Sequence, residues 1–298
     1  MAIAIAAPGS FGEMDAMTFF GLERTSDAHV WRMPVIPSLI SGTGALFGGC
    51  GLGAAIEVME QVTGRPCVWA TAQFLSYALP PAVLELEVVE AVRGHQISQA
   101  RVMARVGDRE ILTVVGALGR RPNPLAGQWA TRPDVAPPAD CPPRPLMDRH
   151  VGTIMDRLES KLADARPYWE LTGMAGSGNA SLWVRLPELA DASAAALAII
   201  GDFVPFGIGQ ALGQRAGGNS LDNTLRIARK VPTEWVLADV RVHAVADGFG
   251  HGLVHLWAEN GTLLGTASQS TIVRAHGPVD HDRAHSGELP LTELEGSL

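Results

Sequence analysis

Asp222, His243 and Gln269 are residue types that can hold and polarise a water molecule. A carboxylate can take a proton from water or orient it. A primary amide donates and accepts at once, so Gln269 could fix the water's second hydrogen bond. A neutral imidazole at His243 could share that network; as a cation it would depress the carboxylate pKa and weaken it as a base. Each residue also has a plain structural reading. Asp222 follows Gly217-Gly218-Asn219-Ser220, where an Asx turn would account for it. Gln269 alternates with Leu263, Gly265, Ala267, Thr271 and Val273, and a buried amide on that face could bond backbone across a strand edge. His243 shares its face with Trp235, Leu237, Asp239, Arg241 and Val245, a mixed face where an exposed histidine is ordinary.

The elements that must position these residues repeat within the chain. Residues 219–274 read as four strands, because β-branched and aromatic residues alternate between turn signals. Residues 67–121 have the same rhythm, with strands expected near 67–77, 82–93, 96–106 and 109–119. Pro80 and Pro232, Asp108 and Asn260, and Leu112 and Leu264 are each 152 positions apart; Arg121 and Arg274 are 153 apart. A near-constant offset across four strands indicates a duplication. The earlier copy lacks the polar set, since Gly116 or Ala117 falls where Gln269 would. Each copy follows a small-residue, nearly apolar helical stretch, 44–64 and about 188–213, of the kind that is buried on most sides.

The expected organisation is an N-terminal unit over 1–121, a proline-rich linker over 122–150, a second unit over 151–275 that carries the polar site, and a polar tail over 276–298. The chain has 298 residues, 47% of them hydrophobic and 18% charged, so it can bury a sizeable core. The net charge of -8 argues against a nucleic-acid partner. Cys50, Cys67 and Cys141 are odd in number and lack paired spacing, which fits a reducing cytoplasm better than a disulfide framework or a zinc site. Residues 33–56 carry no charge and are long enough to raise a membrane span, but six glycines and two prolines favour a buried segment, so no span is expected. His251 and His255 share a strand face, yet no carboxylate or cysteine completes a ligand spacing, and no metal is expected.

A sheet wrapped around a buried helix, duplicated in one chain, is the double hot-dog architecture, an α+β fold. Three motifs resemble the type II acyl-CoA thioesterase family. Leu46-Phe47-Gly48-Gly49 followed by Ala54-Ala55 looks like its helix start. Ser220-Leu221-Asp222-Asn223-Thr224 with Glu234-Trp235 looks like its Asp-containing second-half strand. Ala267-Ser268-Gln269 through Arg274 looks like its closing Gln strand. The family often has Gln where this chain has Cys50, and commonly Ser or Thr at a third polar position, where alignment from Trp235 places His243.

The resemblance implies hydrolysis of an acyl-CoA or related acyl thioester by a water set between Asp222 and Gln269; that His243 joins them is an extension from its residue type, not part of the resemblance. Backbone N–H groups near Gly49 and Cys50 would hold the thioester oxygen. Coenzyme A would enter as part of the substrate, and no other cofactor would be required. Both units lie in one chain, so the monomer is already a pseudo-dimer, with a homodimer or higher homo-oligomer open to it. Two alternatives stay open: an enoyl-thioester hydratase or dehydratase using an Asp/His pair, and a non-catalytic acyl-thioester binder.

Overall fold

The computed structural model describes residues 14–189 and 192–275; the expected tail, 276–298, lies outside them. The N-terminal unit contains α1 (Ala16–Phe20), β1 (Glu23–Arg24), β2 (Val30–Pro34), α2 (Gly48–Thr63), β3 (Cys67–Phe74), β4 (Val83–Arg93), β5 (Ile97–Val106) and β6 (Arg109–Gly119). The second unit contains α3 (Ile154–Arg157), β7 (Glu159–Asp164), β8 (Asn179–Arg185), α4 (Ala194–Ile200), α5 (Val204–Leu212), β9 (Ala216–Ser220), β10 (Asp222–Ile227), β11 (Val236–Ala246), β12 (Phe249–Ala258) and β13 (Leu263–Ala275).

The strands form one antiparallel sheet in the order β1-β2-β4-β5-β6-β3-β10-β13-β12-β11-β8-β7, with β9 also on β13. The units meet at β3 and β10, where Thr71 pairs with Thr224 and their hydroxyls lie 3.0 Å apart. In the first unit α2 packs on β3 to β6, and in the second α5 packs on β8, β9 and β11 to β13. This is the expected double hot-dog, α+β, and the four strands anticipated in the first copy are β3 to β6. In the second copy the first anticipated strand is split, because the chain jogs at Leu221 between β9 and β10. β1, β2, β7 and β8 lie outside the repeat that the sequence shows. Ala180 to Val184 of β8 are all buried, so the strand shows no alternation to read.

Helix α2 is built for close approach. Glycine costs a helix roughly 1 kcal/mol relative to alanine, yet α2 opens Gly48-Gly49-Cys50-Gly51-Leu52-Gly53. A Cβ on Gly49 would lie 2.8 Å from the Ala198 carbonyl oxygen and 2.8 Å from the Ile199 Cα; one on Gly53 would lie 3.0 Å from the Ala195 oxygen. The glycines therefore let α2 meet α4 backbone to backbone. Farther along α2, Leu52, Ile56 and Met59 are completely buried, each contributing about 1.5–3 kcal/mol relative to exposure.

The second helical stretch is broken where a single helix was expected. Residues 201–203 separate α4 from α5, and Pro205 stands in the first turn of α5. Proline suits a first turn but cannot continue a helix, for want of an N–H. The whole run Ala194–Leu212 is long and apolar enough to cross a membrane by composition, but most of it is buried inside the protein.

The proline-rich segment is pinned to the outer face of the second unit. The Trp183 indole donates to the Ala136 oxygen (2.8 Å), and the Leu263 N–H donates to Gln128 (2.8 Å). Beneath it Cys141, Trp183, Trp235, Leu237 and Trp257 form a second apolar cluster.

Candidate active site

The break between α4 and α5 puts a carboxylate where a continuous helix would have none. Asp202 is only 7% exposed and is the one charged residue between Ala194 and Gly213. One carboxylate oxygen accepts the Gly49 N–H at 2.6 Å, and the other accepts the Gln269 amide N–H. Gly49 lies in the first turn of α2, whose N-cap residue Phe47 offers no side-chain cap. Asp202 of the second unit therefore caps the helix of the first, in the positive field of that helix end.

Gln269 organises the rest. Its Oε1 accepts the Val204 N–H at 3.1 Å, and its Nε2 also donates to the Ser220 hydroxyl at 2.9 Å. These bonds fix the amide orientation and aim Nε2 at both Asp202 and Ser220. Burial drives the Asp202 carboxyl up to about 6, while the bonds from Gln269 and Gly49 hold it down in part. A base with that pKa is largely ionised near neutral pH yet still ready to take a proton.

Asp202 and Ser220 open onto a cavity of about 350 Å³. Leu46, Phe74, Ile111 and Leu112 of the first unit give it an apolar wall. Gly48 also lines it, and the Gly48 N–H has no hydrogen-bond partner among the described residues.

A model of the acyl-CoA thioesterase C-terminal domain matches residues 138–273. A candidate thioesterase structure from Novosphingobium aromaticivorans DSM 12444 is 34% identical, with TM-score 0.75, covering 84% of this chain and 97% of that one. The chain belongs to the type II acyl-CoA thioesterase family. Two more distant structures share its fold. A candidate thioesterase II from Thermobifida fusca YX is 17% identical, with TM-score 0.77, over 89% of this chain and 100% of that one. An acyl-CoA thioesterase II from Mycobacterium marinum is 18% identical, with TM-score 0.68, over 88% and 99%. Among curated proteins none matches.

In this thioesterase the residues singled out from sequence fall in different places. Gln269 is buried at the centre of the network. Asp222 is not: its carboxylate accepts the Ser270 N–H at 2.8 Å, stitching β10 to β13, and it does not line the cavity. Within Ser220-Leu221-Asp222 it is Ser220 that lines the cavity.

His243 is exposed and sits at a bulge between Val242 and Ala244, its ring edge-on to His251 at 6.1 Å. It does not line the cavity; Val240 and Val242, on the other face of β11, are the residues that meet α5 at Gly207. The histidine on the cavity wall is His150, which burial and the neighbouring Arg149 and Arg144 lower to about 4.

The two expected oxyanion donors are already engaged. The Gly49 N–H holds Asp202, and the Cys50 N–H donates to the Phe47 oxygen at 3.0 Å. Cys50 is fully buried, and burial pushes its thiol well above the ordinary range. The signal that could have located Asp202 was a lone carboxylate inside an apolar, small-residue helical run, next to a glycine and three positions before a proline.

Proposed function

We propose that this acyl-CoA thioesterase hydrolyses its substrate by direct attack of water, with Asp202 as general base. The carrying observation is the carboxylate itself. Asp202 is the one acidic side chain among the residues lining the cavity, and its two oxygens are held by groups from both units.

A water between Asp202 and the Ser220 hydroxyl gives a proton to the carboxylate as its oxygen adds to the thioester carbon. The tetrahedral intermediate collapses with loss of the coenzyme A thiolate, which recovers a proton from Asp202. The free Gly48 N–H, at the N-terminus of α2, replaces Gly49 and Cys50 as the backbone donor for the developing oxyanion. Coenzyme A enters as part of the substrate, and no other cofactor has a role in this scheme. A reducing cytoplasm as the site of action, in service of lipid metabolism, belongs to the same reading. It is supported by the three free, buried thiols and by the thioester chemistry.

The test is thiol release by Asp202→Asn and Asp222→Ala against acyl-CoAs of graded chain length. Asp202→Asn is expected to lower kcat by about 10²- to 10⁴-fold, whereas Asp222→Ala keeps turnover and loses stability. An Asp202→Asn enzyme as active as the parent would overturn the assignment. The pH profile gives a second check. The base works when ionised, so kcat/KM should climb with pH and level off above about 6. A flat profile through that region would exclude Asp202 as the titrating base.

A further inference from the structure

Besides its apolar residues, the cavity is lined by a group of arginines. Arg144, Arg149, Arg166, Arg215 and Arg274 all line it, although the chain as a whole is acidic. Among the described residues none of the five forms an ion pair. Arg166 is occupied structurally, donating to the Gln210 oxygen at 2.7 Å and the Met174 oxygen at 3.0 Å. The others are not held in this way.

Arg144 lies over the rings of Phe203 and Phe206, 5.6 and 5.0 Å from their centroids, and its guanidinium makes no hydrogen bond among the described residues. Arg215 lies over Tyr168 at 5.5 Å, and its only side-chain hydrogen-bond partner among the described residues is the weak acceptor sulfur of Met147, at 3.8 Å. Arg149 reaches only His150, at 3.4 Å.

Such an arrangement is costly without a ligand. Burial and Arg149 lower Arg144 to about 10, and burial and Arg215 lower Arg149. Like charges are thus gathered against one another in a partly desolvated wall. They do not serve the base either: the groups that shift Asp202 are Gln269 and Gly49, with burial, and no arginine. Stacked guanidinium groups with free N–H forks suit bidentate binding of a carboxylate or phosphate.

We propose that Arg144, Arg149 and Arg215 form a subsite for an oxyanion carried by the thioester substrate, apart from the reacting centre. The oxyanion is either a phosphate of the coenzyme A portion or a carboxylate on the acyl portion. This rests on the thioesterase reading of the cavity. The apolar residues of the cavity take the uncharged part of the same substrate.

The experiment uses four thioesters: hexanoyl-CoA, adipoyl-CoA, hexanoyl-pantetheine and adipoyl-pantetheine. They carry both, one or neither of the two oxyanions. Arg144→Met keeps an apolar stem on Phe203 and Phe206, and Arg215→Met and Arg149→Gln serve if that variant fails to fold. Each variant is read as its kcat/KM on an anionic thioester divided by that on neutral hexanoyl-pantetheine.

Loss of a charge-assisted pair should lower this ratio about tenfold or more. A fall for both CoA esters identifies the phosphate. A fall for both adipoyl esters identifies the acyl carboxylate. Ratios equal to wild type in all variants, or equal losses on all four thioesters, would overturn the subsite. If wild type released no thiol from any of them, the hydrolase reading itself would fail. Calorimetric binding of the corresponding non-hydrolysable thioethers to the arginine variants would then still decide the subsite.

Discussion

The two units keep the same strand register yet differ in what fills equivalent positions. Val88 faces Val102 in the first unit, and Val240 faces Val254 in the second, each 152 positions on. Cys67 pairs with Leu118 and Ser220 with Thr271, each 153 positions on. Ala100 faces Gly116, and Gly252 faces Gln269. That last correspondence fixes Gly116 as the counterpart of Gln269. A Cβ on Gly116 would lie 2.9 Å from the Trp69 carbonyl oxygen and 3.3 Å from the Met59 side chain. The first unit has filled with packing the volume in which the second holds its amide. The same 153 offset sets Gly49 against Asp202, and these two residues bond to each other. The site is therefore not a property of one unit. The second supplies carboxylate, amide and hydroxyl, and the first supplies the helix end that receives the carboxylate.

The strongest way to break this division is to remove the amide. Gln269→Ala strips Asp202 of a donor that lowers its pKa and leaves the Val204 N–H unpaired. Misplacing a catalytic group by about 1 Å can cost some 10²-fold in rate, and a loss of that order is expected in kcat. The sign of the pH effect is also fixed. The lost hydrogen bond favoured the ionised carboxylate, so its pKa must rise, and the acid limb of kcat/KM should move above about 6. An acid limb that stays in place while kcat falls would mean that Gln269 acts on something other than Asp202.

The converse substitution probes the first unit. Gly116→Gln would supply the missing amide by sequence but has nowhere to place it. Overpacking a filled core costs about 1–3 kcal/mol. Urea unfolding should show a loss of that size with no second active site. A stable variant with added thiol release would show that the units differ by one residue only, against the packing at Trp69 and Met59.

Ser220→Ala removes one hydroxyl from the network. It takes away one partner of Gln269 Nε2, which keeps its bond to Asp202. A single neutral hydrogen bond is worth about 0.5–1.5 kcal/mol, so kcat should fall by up to about tenfold. Ser220→Thr should restore most of it. Failure of threonine to rescue would mean that the hydroxyl position depends on the side-chain volume at β9.

Periodicity and the repeat offset carried the fold in the sequence, because the duplicated strands alternate cleanly and their turns recur. β8 was silent because it is buried on both faces. For the site, Gln269 was legible as an amide on an apolar strand face. Asp202 was not, since a residue in a helix break has no periodic neighbours to mark its direction. Asp222 stands two residues from Ser220 in a motif where the carboxylate is the more reactive type. Its actual partner, the Ser270 N–H, is set by strand pairing 48 residues away. The prolines of 122–150 mark a spacer in the sequence, yet the C-terminal end of that segment brings Arg144 and His150 to the cavity.

The smallest expected effect concerns His243. Both units carry a bulge at the same place, between Glu90 and Val92 in β4 and between Val242 and Ala244 in β11, so Ala91 and His243 are equivalent extra residues. Both are exposed. Substitution of an exposed side chain away from special features changes stability by no more than about 0.5 kcal/mol. His243→Ala and Ala91→His should therefore both leave the unfolding midpoint and the rate of thiol release near wild type. The pair also decides between chemistries. A hydratase needs an acid and a base acting together, and His243 was the histidine that made that reading available. Hydration of a 2-enoyl thioester that disappeared in His243→Ala would return the residue to the chemistry and make the two bulges functionally unequal. With the ring outside the cavity, the same incubation should instead show no hydration in either protein and unchanged hydrolysis of the saturated thioester.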